Sequence, residues 1–148
     1  MGSRVARRTE LNLALQALAL RHLMLEGSTR LRPGRLIWTG WVRPTAETSR
    51  YQLRIDLKQN RTPSVRVLAP SLKPNDDGLL PHVYGDGTLC LCRRGDWAPT
   101  MYLTDTFLPW ACEWLTFYEL WLATDLWYGD GPHRLDAESQ ASILHPYS

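Results

Sequence analysis

The fold is decided by one stretch of sequence, LPHVYGDGTLCLCRRGDWAP, which runs from Leu80 to Pro99. Within it, Cys90 lies between two leucines, just past a turn that contains glycine. His82 lies eight residues before this cysteine, and Trp97-Ala98-Pro99 follows seven to nine residues after it. A cysteine in an exposed turn is a candidate nucleophile, because the thiolate is the reactive form of the side chain and must be accessible to its substrate.

Length and composition are those of one ordinary domain. The chain has 148 residues, 44% of them hydrophobic and 22% charged, so we expect residues 1–148 to form a single domain with one core. The net charge of +2 argues against nucleic acid as the main partner, because phosphate binding needs a concentrated basic surface. No apolar run approaches the length of a membrane span, so none is predicted.

The cysteines predict a reduced protein. There are three, an odd number, and no secretory signal precedes them, which indicates a cytoplasmic location. Zinc ligands of suitable type exist at His82, Cys90, Cys92 and His133, but Cys-x-Cys is a poor zinc spacing and no second paired motif appears. No nucleotide-binding motif is present either. We therefore predict neither a metal nor a cofactor.

The order of elements predicts an α+β fold with an N-terminal helix, an antiparallel meander of three to four strands, an irregular active-site segment and a central C-terminal helix. Helical spacing of leucines marks the first helix, and alternation of apolar and polar residues marks a half-buried strand. The predicted bounds are Val5–Glu26 for the first helix, Leu36–Val42, Tyr51–Leu57 and Val65–Leu68 for the strands, Ala69–Asp96 for the irregular segment and Thr106–Thr124 for the second helix.

Large apolar residues recur along the second helix at intervals of three and four. Such a stripe is far more typical of core packing than of a cofactor box. Its members are Trp110, Trp114, Tyr118, Trp121 and Leu122.

The stretch 80–99 resembles the active-site segment of ubiquitin-conjugating enzymes, in which an H-P-N tripeptide, a turn, a G-x-[IL]-C-L cysteine frame and a W-[ST]-P element follow one another. The order of elements is also that of the family. Val83 and Tyr84 stand where the family has Pro and Asn, and the His-to-Cys spacing is about two residues shorter. The matching residues are His82, Gly87, Leu89, Cys90, Leu91, Trp97 and Pro99.

The chain is more specifically similar to the prokaryotic members found in antiphage (CBASS) and ubiquitin-like conjugation operons. The likeness rests on a long pattern that comprises Pro109-Trp110, Glu113-Trp114-Leu115, Tyr118-Glu119, Trp121-Leu122 and Trp127-x-Gly129-x-Gly131-x-His133. This resemblance implies a bacterial antiviral transferase that carries the C-terminal glycine of a protein as a thioester and passes it to a lysine. The implied partners are an upstream activating enzyme or acyl donor, a cGAS-like nucleotidyltransferase or ubiquitin-like protein as cargo, and a lysine-bearing target.

The resemblance also assigns roles to four residues. Cys90 is the nucleophile, His82 braces the turn or transfers a proton, and Tyr84 takes over the bracing and oxyanion role of the absent asparagine. His133, in the loop after the central helix, receives the attacking lysine or is a solvated loop residue.

Other basic and sulfur-containing residues leave alternatives open. Arg93 and Arg94 either lower the pKa of Cys90 or are solvated. Cys92 is a second thiol, a resolving partner or a packing residue, and Cys112 is expected to be buried. The basic residues of the first helix form either a solvated helix end or a docking face for an acidic partner; they are Arg4, Arg7, Arg8 and Arg21.

Two functions from other classes compete with transfer. One is a binding module that keeps the fold without the chemistry, which the missing asparagine favours and the intact cysteine frame disfavours. The other is a Cys-His thioester or isopeptide hydrolase, for which His82 or His133 would have to act as a general base.

Overall fold

The structure, a computed structural model, describes residues 11–129 and the backbone of residues 144–146. Among these residues, four strands form an antiparallel sheet in sequence order, and two shorter strands pair with each other. The predicted α+β order is confirmed, and the sheet has four strands. The bounds are α1 Leu13–His22, β1 Gly27–Arg32, β2 Arg35–Val42, β3 Tyr51–Lys58, β4 Ser64–Ala69, β5 Leu79–Pro81, a 3₁₀ turn at Leu103–Asp105, α2 Phe107–Thr124 and β6 Leu144–Pro146.

Helix α1 is shorter than predicted at its C-terminal end. It ends at His22, because Met24 adopts a left-handed backbone conformation with φ of 55°. The carbonyl of Glu26, which was assigned to the helix, already accepts a hydrogen bond from the Trp41 backbone N–H at 2.8 Å. The predicted start at Val5 lies outside the described residues.

The sequence pattern predicts no bounds for strand β1. It is an edge strand whose residues, Leu31 included, are almost all exposed, so it shows no alternation of buried apolar and exposed polar positions. It pairs closely with β2 where Gly27 faces Gly40. A Cβ atom on Gly27 would lie 2.6 Å from the Gly40 Cα, so the two backbones approach more closely than a side chain would allow.

The core lies between the inner face of the sheet and α2. Residues Tyr51, Leu53, Ile55 and Leu57 of β3 alternate with outward-facing neighbours and are buried, as predicted. The stripe along α2 is also largely confirmed, since Trp114, Tyr118 and Trp121 are buried and the first two rings stack at 5.4 Å. Leu122 is the exception. It is 47% exposed and borders an open pocket together with Tyr51 and Glu119.

A buried glutamine joins α1 to the chain that follows the cysteine segment. The Gln16 side chain accepts a hydrogen bond from the Leu103 backbone N–H at 2.9 Å and donates one to the Met101 carbonyl at 2.8 Å. Both ends of its amide are therefore satisfied, and the entrance to α2 is fixed against α1. Within the described ranges, no helix is long and apolar enough to cross a membrane.

Candidate active site

Cys90 ends a small hairpin that starts at His82. The hairpin lies within the predicted irregular segment, and residues 84–87 form its turn. Because Val83 and Leu89 face each other and are buried, the side chains that alternate with them lie on the other side of the hairpin. The backbone bonds that close it run from Cys90 N–H to the His82 carbonyl at 2.8 Å, from Tyr84 N–H to the Thr88 carbonyl at 2.8 Å and from Gly87 N–H to the Tyr84 carbonyl at 2.9 Å.

The tip of the hairpin is held by Asp86. Its carboxylate accepts hydrogen bonds from the Thr88 backbone N–H at 2.9 Å and from the Thr88 hydroxyl at 2.6 Å, and these bonds hold the pKa of Asp86 below its ordinary value. The far arm is fixed to the sheet, since Leu89 N–H donates to the carbonyl of Val65 in β4 at 2.8 Å. Sheet, tip and backbone bonds thus fix the position of the cysteine.

The hairpin, α2 and the loop after α2 together hold His82 in position. Its backbone is left-handed, with φ of 50°, an uncommon conformation for a residue other than glycine. Its carbonyl accepts from Cys90 in the hairpin and also from the indole Nε1 of Trp114 in α2, at 3.2 Å. Its ring lies 5.4 Å from the ring of Trp127, in the loop after α2.

The partly exposed Cys90 opens into a small pocket of about 100 Å³. Glu113 contributes the acidic group of this pocket, and its side chain is exposed. No role was predicted for Glu113 from the sequence, although it is the charged residue between Trp110 and Trp114 and so shares their helix face. The lining residues are His82, Cys90, Leu91, Trp110, Glu113, Trp114, Phe117, Trp127 and Gly129.

Tyr84, the residue in place of the family's asparagine, lies beside the cysteine. The phenol is hydrogen-bonded to the Cys90 side chain, and this bond, followed by burial, raises the pKa of Tyr84 to about 12. Its hydroxyl therefore remains protonated at neutral pH and provides one donor next to the sulfur.

Cys92 lines a different pocket, of about 350 Å³, together with Arg93 and Arg94. Burial, and then the nearby carboxylate of Asp96, raise the pKa of the Cys92 thiol. The two arginines are exposed and do not line the pocket of Cys90, which favours the solvated alternative for them.

Cys112 is partly buried rather than fully buried, and burial raises the pKa of its thiol. All three cysteines are free. In the part of the chain that the structure describes, no group of three or more histidine, cysteine, aspartate or glutamate side chains is placed to hold a metal ion.

The loop after α2 closes one side of the Cys90 pocket. Trp127 packs against Trp114 at 5.5 Å and against Phe117 at 5.9 Å between ring centroids. Gly129 is required there, because a Cβ atom would lie 2.4 Å from Nε1 of Trp127. His133, four residues further on, lies outside the described residues, as do Arg4, Arg7 and Arg8.

The helix, the four-strand meander, the cysteine hairpin and the second helix define an E2-like protein, that is, one with the ubiquitin-conjugating fold. A family model described as E2-CBASS, Type II CBASS E2 protein, matches residues 16–134, so the chain belongs to that family. The predicted similarity to E2-like proteins of CBASS operons is thereby confirmed. No curated protein matches the chain.

Proposed function

We propose that the protein is a conjugating transferase that holds the C-terminal carbonyl of a donor protein as a thioester on Cys90 and passes it to a lysine amine. The observation that carries this proposal is the surroundings of one thiol. Cys90 ends a braced hairpin and lines a pocket with the exposed carboxylate of Glu113, while the Tyr84 hydroxyl is hydrogen-bonded to its side chain. Membership of the E2-CBASS family supports a role in CBASS conjugation.

In the loading step, the Cys90 thiolate attacks the activated carbonyl carbon of the donor. A carbon–sulfur bond forms, the activating group leaves with its electron pair, and the thiol proton goes to solvent. The carbonyl oxygen becomes negative on the way. Tyr84 supplies a protonated hydroxyl beside the sulfur, where it donates to that oxygen, a type of interaction that stabilises acyl-transfer transition states.

In the transfer step, a lysine enters the pocket as an ammonium ion and must lose a proton before it attacks. The Glu113 carboxylate attracts the cation and accepts the proton, while the aromatic walls of Trp110 and Phe117 contact the aliphatic stem of the lysine. The neutral amine then attacks the thioester carbon. As the carbon–nitrogen bond forms, the nitrogen loses its second proton to solvent, the carbon–sulfur bond breaks and Cys90 leaves as the thiolate.

The two histidines have different places in this proposal. His82 braces the hairpin through its carbonyl and its packing on Trp127. His133 stays a prediction: as an orienting or deprotonating group for the lysine, it would approach from the loop that follows Gly129.

The proposed partners are an upstream activating enzyme or acyl donor, a cGAS-like nucleotidyltransferase or ubiquitin-like protein as cargo, and a lysine-bearing target, all in the bacterial cytoplasm. Their chemistry follows from the reaction, which needs an activated C-terminal carbonyl and an amine. One observation also favours a second candidate, a thioester or isopeptide hydrolase, because His82 and Cys90 line the same pocket.

The test is to produce the protein together with the proteins encoded beside it and to map adducts on Cys90 by peptide mass spectrometry. The proposal requires a thiol-sensitive adduct on Cys90 that disappears when a lysine-bearing acceptor is added. The donor should then be found on the acceptor, joined to a lysine by an isopeptide bond. Release of free donor with no dependence on amine would support the hydrolase instead. A protein that binds the donor without any adduct would be the inactive binding module.

A further inference from the structure

The outward face of the four-strand sheet is unusually basic. It presents six cations and one carboxylate on β1 to β4, whereas the whole chain has a net charge of only +2. We call this surface the basic sheet face. Its charged members are Arg30, Arg32, Arg35, Arg54, Lys58, Arg66 and Asp56.

Several of these cations face each other directly. Arg32 is opposite Arg35, and Arg35 is in turn opposite Lys58, so three cations form one row across β1, β2 and β3. In a second row, Arg54 is opposite Arg66. Like charges directly opposite one another destabilise a sheet.

The ion pairs within the face offset only part of this repulsion. Asp56 accepts from Arg35 Nε at 3.1 Å and lies 3.7 Å from Arg54 Nη2. The side chains of these two arginines nevertheless stay 40% and 42% exposed. Arg66 acts electrostatically on Asp86, at the hairpin tip. Arg30, Arg32 and Lys58 are exposed and have no ion pair among the described residues.

We propose that the basic sheet face is a docking surface for a protein whose contact surface is rich in carboxylates. Fold stability alone would favour neutral β-formers at these positions, whereas an acidic partner would convert the mutual repulsion of the arginines into attraction. The guanidinium group of arginine can donate two parallel hydrogen bonds to one carboxylate. One end of the face has a hollow of about 440 Å³ that a partner side chain can enter. It is lined by Asp56, Lys58, Arg61, Thr62 and Ser64.

A protein fits this face better than a nucleic acid does. Asp56 lies in the middle of the face, where it would repel a continuous phosphate backbone, while a protein can place a donor group opposite it. The outward side chains Ile37 and Trp41 offer apolar contact area in the same plane. The low net charge of the chain is also unlike that of a nucleic-acid-binding domain.

Binding can be measured by fluorescence anisotropy with a labelled polyglutamate peptide as the probe. The face variant combines Arg30→Thr, Arg32→Thr and Lys58→Thr, since threonine suits a strand. The control variant removes three exposed cations elsewhere: Arg43→Thr, Lys73→Thr and Arg94→Thr. We expect the wild type to bind the peptide, more weakly as salt is raised, and the face variant to lose about tenfold or more in affinity while the control loses about threefold or less.

A wild type that does not bind the peptide, or equal losses in the two variants, would overturn the proposal. So would tighter binding of a DNA duplex of matched charge that the face variant abolishes, since this would make the surface a nucleic-acid site. Cys90→Ala should bind the peptide as the wild type does, because this surface is independent of the thioester chemistry.

Thermal unfolding gives a second readout that does not need a ligand. Because the face variant removes directly opposed like charges, its melting midpoint should rise by about 1–4 °C over the wild type, and the control variant should show no such rise. A fall in the midpoint of the face variant would contradict the claim that these residues are held against the stability of the fold.

Discussion

The indole Nε1 of Trp114 donates a hydrogen bond to the carbonyl of His82 at 3.2 Å, and this bond attaches the central helix to the hairpin that carries Cys90. The same carbonyl accepts from the Cys90 backbone N–H. The position of the thiol therefore depends on a contact between residues 32 positions apart.

Replacing Trp114 with phenylalanine keeps an aromatic ring in the core but removes this donor. We expect Trp114→Phe to lower the free energy of unfolding by about 1–3 kcal/mol, through lost packing and a weakened bond to His82, and to slow both the loading and the discharge of Cys90. Trp121→Phe is the control, since Trp121 is similarly buried on the same helix but does not line the Cys90 pocket. Denaturant unfolding and single-turnover assays measure the two effects. Equal loading defects in the two variants would show that the bond to His82 has no special part in placing the thiol.

Tyr84→Phe removes the hydroxyl beside the sulfur and leaves the ring. We expect loading and discharge to fall by about tenfold or more, because a donor to the developing oxyanion is lost. The hydroxyl does not ionise below its raised pKa of about 12, so it should add no inflection to the wild-type rate between neutral pH and pH 10. Tyr102→Phe, at a tyrosine that lines neither the Cys90 pocket nor the Cys92 pocket, should leave the rates unchanged.

The raised pKa of Tyr84 also determines how this side chain changes the stability of the fold at alkaline pH. Because the folded value of about 12 lies above the ordinary value of 10.0, the stability that this group contributes is complete below pH 10 and is lost as pH rises towards 12. Tyr84→Phe should abolish that part of the alkaline loss. Alkaline unfolding curves that coincide for the two proteins would contradict the hydrogen bond.

Glu113→Gln keeps the shape of the side chain and removes its negative charge. We expect the Cys90 adduct to form at the wild-type rate and its discharge to lysine to slow by about 10- to 100-fold at neutral pH. The defect should shrink as pH rises towards the pKa of lysine, about 10.4, because the amine then needs no base. Glu47→Gln, on an exposed loop, is the matched control. A loading defect as large as the discharge defect would assign Glu113 to structure rather than to the amine.

Gly129→Ala places a methyl group where a Cβ atom would lie 2.4 Å from Nε1 of Trp127. The loop must move, so we expect about 1–3 kcal/mol of lost stability and a slower discharge step. Gly85→Ala is the matched control, because a Cβ atom there meets no heavy atom within 4 Å. Chemical denaturation of the two variants measures the difference, and indistinguishable curves would show that the loop does not pack as described.

Most of the fold is visible in the sequence because β3 and α2 each bury one face, and their periods of two and about 3.6 residues follow directly. Strand β1 is not visible in the sequence, because an edge strand that buries few side chains has no such period. The end of α1 was misjudged because the backbone turn at Met24 leaves no sign in residue type.

The candidate site likewise contains some residues that a local motif reveals and others that only the packing of the fold brings in. Cys90, His82 and Tyr84 lie in one short segment, so a local motif is sufficient to propose them together as site residues. Glu113 and Trp127 join the site only through the packing of α2 and its following loop against the hairpin. Contacts of that kind are set by tertiary structure, and a single sequence does not reveal them.

The central claim is that Cys90 carries the acyl group, and the bond it forms can be read directly. The protein, its donor and the activating component are combined without acceptor, and the intact mass is measured before and after treatment with a thiol reductant. We predict an adduct on the wild type and on Cys112→Ala that the thiol removes, a more resistant ester on Cys90→Ser, and no adduct on Cys90→Ala. An adduct that persists on Cys90→Ala, or conjugates formed by that variant, would contradict the claim.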